Sequence, residues 1–561
     1  MIVTAHCSRE RCKGKAMHGK IEGHVEHHEG MSTLPGRFLL LVGLILLWIY
    51  GYRILTRPLT WEEPRRCLVA LEMIHRGDYI VPYVLGEPYR NKPPLQNWLI
   101  ILLAGNHADR VGPLVIRSIS ILSLLGIVCF LWRLSLSWKN LFSPWSPALI
   151  FLTMGIVVQY GRSGELDPLF TFWITASFFC FEMGRRKRSA WLQWFLPQAL
   201  LAGGILTKVL APLFFYPPVL FCTWKDREKI PFSAKAFALG LVTEMLLVSA
   251  WLIPYSFRGS AASLGKRWTE EILQRTPLWN GAEAFLKHLI LFPLEILGTM
   301  LPWSIACALW LVPNVRRHFL TILRMDPFLR LTSAIALWSI GLLWIMTGAK
   351  GRYLFPSLPF LAVLIAHTIE SPIALIHGIK GFTPERLIGM ARSAFVERGM
   401  GWVMASLLWG IGFVLAGVIT RRMALWQPMV CGMAVIGWIG FVVHRDRKPR
   451  PFPMLLLIAL LYGILYAGVI GSRKTEREQR SVESAQRIAA SIQESLPVVC
   501  DKNVPYRDCY AIISKLDRLA QRIHPTQGPY FLVTSLSSGL QVFGPAVVEA
   551  PPLGLWRINR E

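Results

Sequence analysis

Pairs of cysteines separated by two residues are missing from the sequence, although ten cysteines occur among its 561 residues. Structural zinc sites commonly draw ligands from such pairs, so the absence argues against a zinc site built on cysteine. Most of the cysteines stand singly in apolar segments, where a small buried side chain is the ordinary interpretation. Cys500 and Cys509 differ, because eight residues separate them in a polar region. Their spacing predicts a disulfide if that region lies in an oxidising compartment.

Acidic residues are also scarce, since 34 Asp and Glu stand against 60 Lys and Arg and give a formal net charge of +26. The basic residues are dispersed along the chain rather than gathered in one compact unit, which argues against nucleic-acid binding. Hydrophobic residues make up 53% of the sequence and mean hydropathy is +0.42. The apolar residues come in blocks long enough to cross a bilayer. The composition therefore predicts a mainly α-helical polytopic membrane protein.

The apolar blocks predict thirteen transmembrane helices. They lie at residues 37–55, 113–134, 146–161, 167–183, 192–207, 210–224, 236–256, 291–312, 331–347, 354–370, 401–419, 426–443 and 453–471. A further apolar stretch at residues 95–104 is too short to cross a bilayer, so we expect an interfacial or re-entrant helix there.

Lysine and arginine predict the orientation of these helices, because basic residues collect in cytoplasmic loops. If the N-terminal tail, residues 1–36, is cytoplasmic, the most basic loops fall on the same side, at residues 184–189, 224–229, 314–330, 377–399 and 444–451. The odd number of helices then places the C-terminus outside. The polar segments 56–112, 162–166, 257–290 and 348–353 share that outer face.

Residues 472–561 differ in kind from the transmembrane domain that we expect over residues 37–471. Charged segments with helical spacing occur there beside a β-rich stretch, PYFLVTS, at residues 529–535. The pattern predicts a small soluble α/β domain on the outer face.

Five polar clusters share the predicted outer face. Charges at membrane depth are costly unless they are paired or hydrated, so five clusters suggest more than a collar of interfacial charge. Cations can hold a phosphate through charge-assisted hydrogen bonds, and a carboxylate can take a proton from an attacking hydroxyl. The clusters therefore suit a reaction on a lipid phosphate. Their candidate residues are Glu62, Glu63, Arg65, Lys92, Asp167, Lys208, Lys350, Arg352 and Tyr353.

The first cluster and the segment after it carry a resemblance to a known family. The stretch WEEPRR…RGDYIVPYVLGEPYRNKPPLQNWL, within residues 61–99, is similar to the signature of family 39 of the C-type glycosyltransferases. That family contains the aminoarabinose transferases and the protein O-mannosyltransferases. The later stretches LTKVLAP and RYLFPSLP also resemble it. The resemblance implies an enzyme of the bacterial inner membrane that takes a sugar from a polyprenyl-phosphate donor at the outer face.

The resemblance also assigns roles to individual residues. Glu62 and Glu63 match the family's acidic pair, and Asp167 matches an acidic position in a later outer loop. Arg65 matches the family's arginine, and Lys92 matches the lysine before two prolines that would hold the donor phosphate. We expect Glu62 to be the first candidate for the catalytic base and Asp167 the second, with the other candidate residues binding substrate.

Two positions depart from the family pattern. Glu62 stands where aspartate is usual, which lengthens the base by one methylene group. Asn91 stands where aminoarabinose transferases have a glutamate that helps to hold a metal, so we assign no metal and expect no cofactor. The acceptor stays open among a lipid A-like lipid, a cell-envelope glycan and a protein.

Two other classes of function are compatible with many helices and with charge on one face. A lipid or sugar transporter would place ionisable residues near the bilayer midplane and often show internal repeats, and we see neither. A scaffold or receptor would tolerate independent mutation of each cluster. We therefore expect a glycosyltransferase, with inversion at the anomeric carbon, and keep the transporter as the alternative.

Overall fold

The computed structural model describes residues 36–138, 143–209, 211–226, 230–258, 261–274, 277–311, 313–378, 456, 459–464, 467, 471–516, 519–522, 529–536 and 546–558. Helices dominate these residues. The α-helices are α1 (Gly36–Gly51), α2 (Glu63–Arg76), α3 (Leu95–Leu103), α4 (Pro113–Ser135), α5 (Ser146–Thr153), α6 (Gly155–Gly161), α7 (Leu166–Lys187), α8 (Leu196–Lys208), α9 (Tyr216–Lys225), α10 (Ala234–Arg258), α11 (Ala261–Leu273), α12 (Pro277–Thr299), α13 (Pro313–Met325), α14 (Pro327–Ile345), α15 (Leu358–Gly378), α16 (Gly471–Ser491) and α17 (Tyr506–Leu516).

Apolar composition makes several of these helices suitable for a bilayer. Within the described residues, four helical segments are long and apolar enough to cross a membrane, namely Pro113–Trp138, Ala234–Arg258, Pro327–Ile345 and Gly351–Glu370. These segments agree with a helical, polytopic membrane protein. The predicted spans at 401–419 and 426–443, and most of 453–471, lie outside the described residues.

Some predicted spans are interrupted rather than continuous. The segment 146–161 divides at Met154, whose extended backbone separates α5 from α6. The first amide of α6, on Gly155, donates to the carbonyl of Leu301 at 2.8 Å, so the break leaves this donor satisfied. A π-helical turn at Trp191–Phe195 leads into α8, and a 3-10 helix at Gly351–Ser357 leads into α15. These irregular joints bring polar residues to the ends of α6, α7, α8 and α15.

The polar segment after α1 is compactly folded. It contains α2, a two-stranded antiparallel hairpin of β1 (Tyr83–Val84) and β2 (Glu87–Pro88), and α3. Pro64 lies in the first turn of α2, where a missing N–H costs little. Gly77 ends the helix with φ +64°, the left-handed conformation that glycine adopts without strain. The short helix predicted at residues 95–104 is present as α3.

The segment 257–290, predicted as an outer loop, is mostly helical. Helix α11 follows α10 directly, and α12 begins well before the predicted span at residue 291. Gly281 has φ +81° and marks a kink at which two helices meet within α12. The sequence analysis did not predict these helices, because they carry too many polar residues to show the long apolar run on which the spans were predicted; the outer-face location of the segment stays a prediction.

The C-terminal segment, residues 471–558, carries a five-stranded mixed sheet. Its order is β4 (Ala520–Gln521), β3 (Val498–Cys500), β5 (Tyr530–Ser535), β7 (Leu553–Ile558) and β6 (Val548–Ala550). Strand β3 pairs in parallel with β4 and β5, whereas β7 is antiparallel to β5 and β6. Helices α16 and α17 pack with the sheet, and their apolar core is continuous with that of α2. The segment is therefore seated on the polar segment that follows α1.

The cysteine pair of this segment lies inside its core. Cys500 on β3 and Cys509 on α17 are both buried, and the Cys509 thiol donates to the Val504 carbonyl at 3.8 Å. Both are free thiols in this structure, so the disulfide predicted from their spacing is not formed here.

Candidate active site

Glu63 anchors the N-terminal end of α2 to two distant segments. Its Oε1 accepts hydrogen bonds from Arg117 Nε at 2.7 Å and from the Gly164 amide at 2.8 Å. Its Oε2 accepts from the Thr60 amide at 2.7 Å and from Arg117 Nη2 at 3.0 Å. Burial raises the pKa of Glu63, but the charge and hydrogen bonds of Arg117 outweigh that effect and hold it below its ordinary value. Glu63 is therefore a buried, ionised carboxylate whose oxygens are fully occupied.

The preceding residue, Glu62, has a different environment. Its side chain is 32% exposed, and its Oε2 pairs with Nη1 of Arg65, itself 25% exposed, at 2.8 Å. The backbone amide of Glu62 donates to Glu165 Oε1 at 3.2 Å. Adjacent residues face different surroundings because side chains one position apart on a helix point in different directions. Glu62 keeps a carboxylate that solvent or substrate can reach.

Asp167 and Lys208 bring a second acid–base pair to the same place. Asp167 lies in the first turn of α7 and Lys208 in the last turn of α8. Lys208 Nζ lies 2.7 Å from Asp167 Oδ1, with the side chains 16% and 5% exposed. The same Nζ lies 5.3 Å from the ring centroid of Tyr353, within cation–π range. The sequence prediction thus selected three residues that meet although they are far apart in the chain.

Arg352 adds a further cation from the 3-10 helix before α15. Its guanidinium interacts electrostatically with Asp167, Glu165 and Tyr160. The Tyr160 ring packs against Trp61, with centroids 5.0 Å apart, which links this cation to the start of α2. Lys350, two residues earlier, is exposed. Arg352 and Tyr353 therefore join the cluster more closely than Lys350 does.

Lys92 is half-buried in the loop before Pro93 and Pro94. The helix that follows ties this loop to the acidic segments, because Gln96 Nε2 donates to the Gly164 carbonyl at 2.9 Å and Asn97 Nδ2 donates to the Arg66 carbonyl at 3.0 Å. The loop is therefore held beside both the start of α2 and the segment before α7.

Asn91, which departs from the family pattern, is engaged by a helix of the 257–290 segment. Its Oδ1 accepts from Arg267 Nε at 3.1 Å, and Trp268 Nε1 donates to the Arg90 carbonyl at 3.2 Å. Position 91 thus makes a polar contact with α11. In the part of the chain that the structure describes, no group of three or more His, Cys, Asp and Glu side chains is arranged to hold a metal.

Glu165 is the functional candidate that the sequence analysis missed. It is 3% exposed, and burial raises its pKa to about 8, with a further rise from the charge of Asp167. The hydrogen bond from the Glu62 amide acts in the opposite direction. The carboxylates of Glu165 and Asp167 both lie in the stretch GRSGELDP, residues 161–168. Only the folded chain shows that Glu62, Glu165 and Asp167 crowd together, which is what makes Glu165 difficult to ionise.

The fold and this cluster define a class of protein. Apolar helices that are joined through breaks, a π-helical turn and a 3-10 helix carry carboxylates and cations at their ends. The folded polar segment after α1 lies beside these helix ends. This is the architecture of a polytopic membrane glycosyltransferase of the C-type fold, as comparisons with known proteins show.

The sequence pattern of the family described as dolichyl-phosphate-mannose-protein mannosyltransferase matches residues 80–255. The undecaprenyl phosphate-alpha-4-amino-4-deoxy-L-arabinose arabinosyl transferase of Pectobacterium carotovorum subsp. carotovorum is 28% identical over 481 residues, which cover 81% of this chain and 80% of that protein. The protein of the same name from Yersinia enterocolitica is 27% identical over 476 residues, which cover 80% of this chain and 79% of that protein. The crystal structure of ArnT from Cupriavidus metallidurans bound to undecaprenyl phosphate superposes on this chain with a TM-score of 0.70 at 15% sequence identity. The superposition covers 93% of this chain and 98% of that chain.

These comparisons confirm the resemblance drawn from the sequence. The chain is similar to the aminoarabinose transferases of family 39 of the C-type glycosyltransferases, and it shares their fold. The prediction of a membrane glycosyltransferase is likewise confirmed, and the transporter alternative is not favoured.

Proposed function

We propose that this protein transfers a sugar from a polyprenyl-phosphate donor to an acceptor at the outer face of the bacterial inner membrane. The observation that carries the proposal is the meeting of the Asp167–Lys208 pair with Arg352 and Glu62 at one set of helix ends. A sugar phosphate needs cations for its phosphate and a carboxylate near the attacking group, and this cluster supplies both. The similarity to undecaprenyl-phosphate aminoarabinose transferases supports the choice of donor.

In this proposal the cations receive the phosphate. Lys208 is paired with Asp167 in this structure, and an incoming phosphate would compete with that carboxylate for Nζ. Arg65 and Lys92 would hold the phosphate from the α2 side, with Tyr353 and Lys350 lining the approach. As the sugar–phosphate bond breaks, both electrons stay on the phosphate oxygen, so these cations stabilise the charge that develops on the leaving group.

The carboxylates serve the acceptor side of the reaction. The acceptor oxygen attacks the anomeric carbon opposite the leaving phosphate, which inverts the configuration. A hydroxyl acceptor must lose its proton, and the accessible carboxylate of Glu62 is the first candidate to take it, with Asp167 second. An ionised phosphate acceptor would need no such base. We assign Glu63 a positioning role instead of direct substrate contact, because its oxygens are already occupied.

The proposal also includes the membrane arrangement predicted from the sequence. It comprises thirteen transmembrane helices over residues 37–471, a cytoplasmic N-terminal tail at residues 1–36 and an outer α/β domain at residues 472–561. The packing of the C-terminal segment against α2 supports this arrangement, because it requires that segment and the site to lie on the same side.

Transfer by the purified protein tests the proposal. Proteoliposomes would receive undecaprenyl phosphate carrying radiolabelled aminoarabinose, together with lipid A as acceptor. We expect label in lipid A and release of undecaprenyl phosphate. Release of undecaprenyl phosphate with label in another acceptor would support the enzyme class and change the acceptor. An intact donor with every envelope acceptor supplied would contradict the proposal.

A further inference from the structure

The C-terminal segment reaches the candidate site through one aromatic ring. Tyr506, the first residue of α17, lies between two guanidinium groups. Arg65 Cζ is 4.6 Å from the centroid of the Tyr506 ring, and Arg522 Cζ is 4.7 Å from it. Arg65 is the residue that pairs with Glu62. The ring of Tyr506 therefore contacts the side chain that holds the candidate base.

Other residues of the C-terminal segment hold Tyr506 in place. Arg522 donates from Nη1 to the Asp501 carbonyl at 3.1 Å and from Nη2 to the Val504 carbonyl at 3.0 Å. These bonds fix the guanidinium that stacks on the ring from within the C-terminal segment. The support of Tyr506 thus does not depend on Arg65.

Two other hydrogen bonds join the C-terminal segment to the polar segment after α1. The amide of Arg522 donates to the Leu85 carbonyl at 2.9 Å. The hydroxyl of Tyr510, one turn along α17, donates to the Val111 carbonyl at 2.7 Å. These bonds and the shared apolar core hold the C-terminal segment against the polar segment after α1, so the whole interface sets the position of the Tyr506 ring relative to Arg65.

Arg65 needs such support if it is to act in a defined place. An arginine side chain has many rotamers, and a partly exposed ion pair with Glu62 restrains them only weakly. A ring within about 5 Å of the guanidinium adds a cation–π contact and occupies the space into which the side chain would otherwise turn. The stack leaves Nη1 directed at Glu62.

We propose that Tyr506 is a positioning residue for the transferase site, contributed by the C-terminal segment, and that it acts by holding Arg65 against Glu62. The inference rests on the proposed function of Arg65 and Glu62 and extends it. The C-terminal segment is then needed for efficient transfer.

A set of variants in the full-length protein tests this role. Tyr506→Leu removes the ring, Tyr506→Phe keeps it, and Tyr510→Phe weakens the same interface without contacting Arg65. The kcat and KM for the undecaprenyl-phosphate donor would be measured in proteoliposomes, with thermal unfolding as a check on folding. We expect Tyr506→Leu to lower kcat/KM roughly fivefold to tenfold, and both phenylalanine variants to stay within about twofold of wild type.

The same Tyr506→Leu change in an Arg65→Ala background separates positioning from general stability. If Tyr506 acts through Arg65, the second substitution should change kcat/KM by less than about twofold in that background. An equal loss in both backgrounds, a loss for Tyr506→Phe as large as for Tyr506→Leu, or wild-type kinetics for Tyr506→Leu would each overturn the inference. Absence of transfer by the wild-type protein would instead reject the proposed function, so the two failures are distinguishable.

Discussion

The two ends of α7 carry acid–base clusters that are built in different ways. At the C-terminal end, Glu182 is buried and pairs with Arg185 and Arg186, its neighbours three and four positions along the same helix. At the N-terminal end, Asp167 meets Lys208 of α8 and Arg352 of the segment before α15. The first cluster is a local charge arrangement that any basic helix end can form. The second requires the whole fold, which is why we place the chemistry there.

The contrast shows that charge density alone does not mark a site. The run GRRKRS at residues 184–189 is the more basic of the two ends, yet its ion pairs are with Glu182 of the same helix. Arg186 also stacks on Trp138, as a residue anchoring a helix end would. The N-terminal end has fewer charges, but they are drawn from four separate segments and include carboxylates with different exposure. Variants at each end can break or sharpen this distinction.

The largest effect is expected for Glu62→Gln and Lys92→Ala. Each should lower the rate of sugar transfer by about a hundredfold or more, because one removes the proposed base and the other a phosphate ligand. The double variant should be little worse than either single variant, since both act on one step. Initial rates in proteoliposomes measure this. At the other end of α7, Arg186→Gln should stay within about twofold of wild type.

If variants at both ends of α7 lowered the rate of sugar transfer by similar factors, the functional distinction between the two ends would be wrong. Small and independent losses from Glu62→Gln and Lys92→Ala, of at most about 1 kcal/mol each, would show an interfacial charge collar instead of a site.

A smaller effect on transfer, together with one on stability, is expected for Lys208→Met. The change removes the ion-pair partner of the buried Asp167 carboxylate and leaves Arg352 as its remaining cation, and breaking a buried pair costs about 3 kcal/mol. The double variant Lys208→Met with Asp167→Asn removes both charges and should recover most of the stability. Donor KM should stay raised, by about tenfold, in both variants. Recovery of donor KM in the double variant would show that Lys208 only neutralises Asp167.

The pH dependence of stability should change in Glu165→Gln. The folded-state pKa of Glu165, about 8, lies well above the ordinary value of a glutamate, about 4.5. Its contribution to stability is therefore fully present below about pH 4.5 and is lost as the pH rises through about 8. The variant lacks this pH-dependent loss, so the difference in thermal stability in detergent, variant minus wild type, should increase from pH 5 to pH 8. Parallel curves for the two proteins over that range would contradict the raised pKa.

Accessibility labelling compares the C-terminal end of α7 with α11, and we expect no effect on activity. Single cysteines at residues 187–189 should react with a membrane-impermeant reagent only after the inner membrane is opened. Single cysteines in residues 261–274 should react in cells whose outer membrane alone has been permeabilised. The opposite pattern would reverse the proposed orientation.

Local patterns in the sequence predict the helices and several of the site residues. Apolar blocks show where α4, α10 and α14 lie, and the motif around Glu62 and Lys92 indicates the family. The crowding that raises the pKa of Glu165 depends on Glu62 and Asp167, which lie on separate segments. The same applies to Glu63, for which the sequence predicted substrate binding, whereas in the fold Arg117 donates to both of its carboxylate oxygens and the Gly164 amide donates to Oε1. Long-range contacts of this kind leave no periodic signal in the chain.

The helical nature of α11 and of the part of α12 before residue 291, and the contact of Tyr506 with Arg65, were also beyond sequence reasoning. Amphipathic helices such as α11 lack a long apolar run, and a stack between residues 65 and 506 joins segments at opposite ends of the chain.

Mass spectrometry of the cell envelope most directly tests the central claim, that this chain attaches one sugar from a polyprenyl-phosphate donor through the cluster at the N-terminal end of α7. Lipid A and envelope glycans would be compared among the parent strain, a deletion strain, and deletion strains carrying the wild-type, Glu62→Gln or Arg186→Gln protein at equal abundance. We predict that one sugar mass disappears on deletion, returns with the wild-type and Arg186→Gln proteins, and stays absent with Glu62→Gln. Return of that mass with Glu62→Gln, or an unchanged envelope in the deletion strain, would contradict the account.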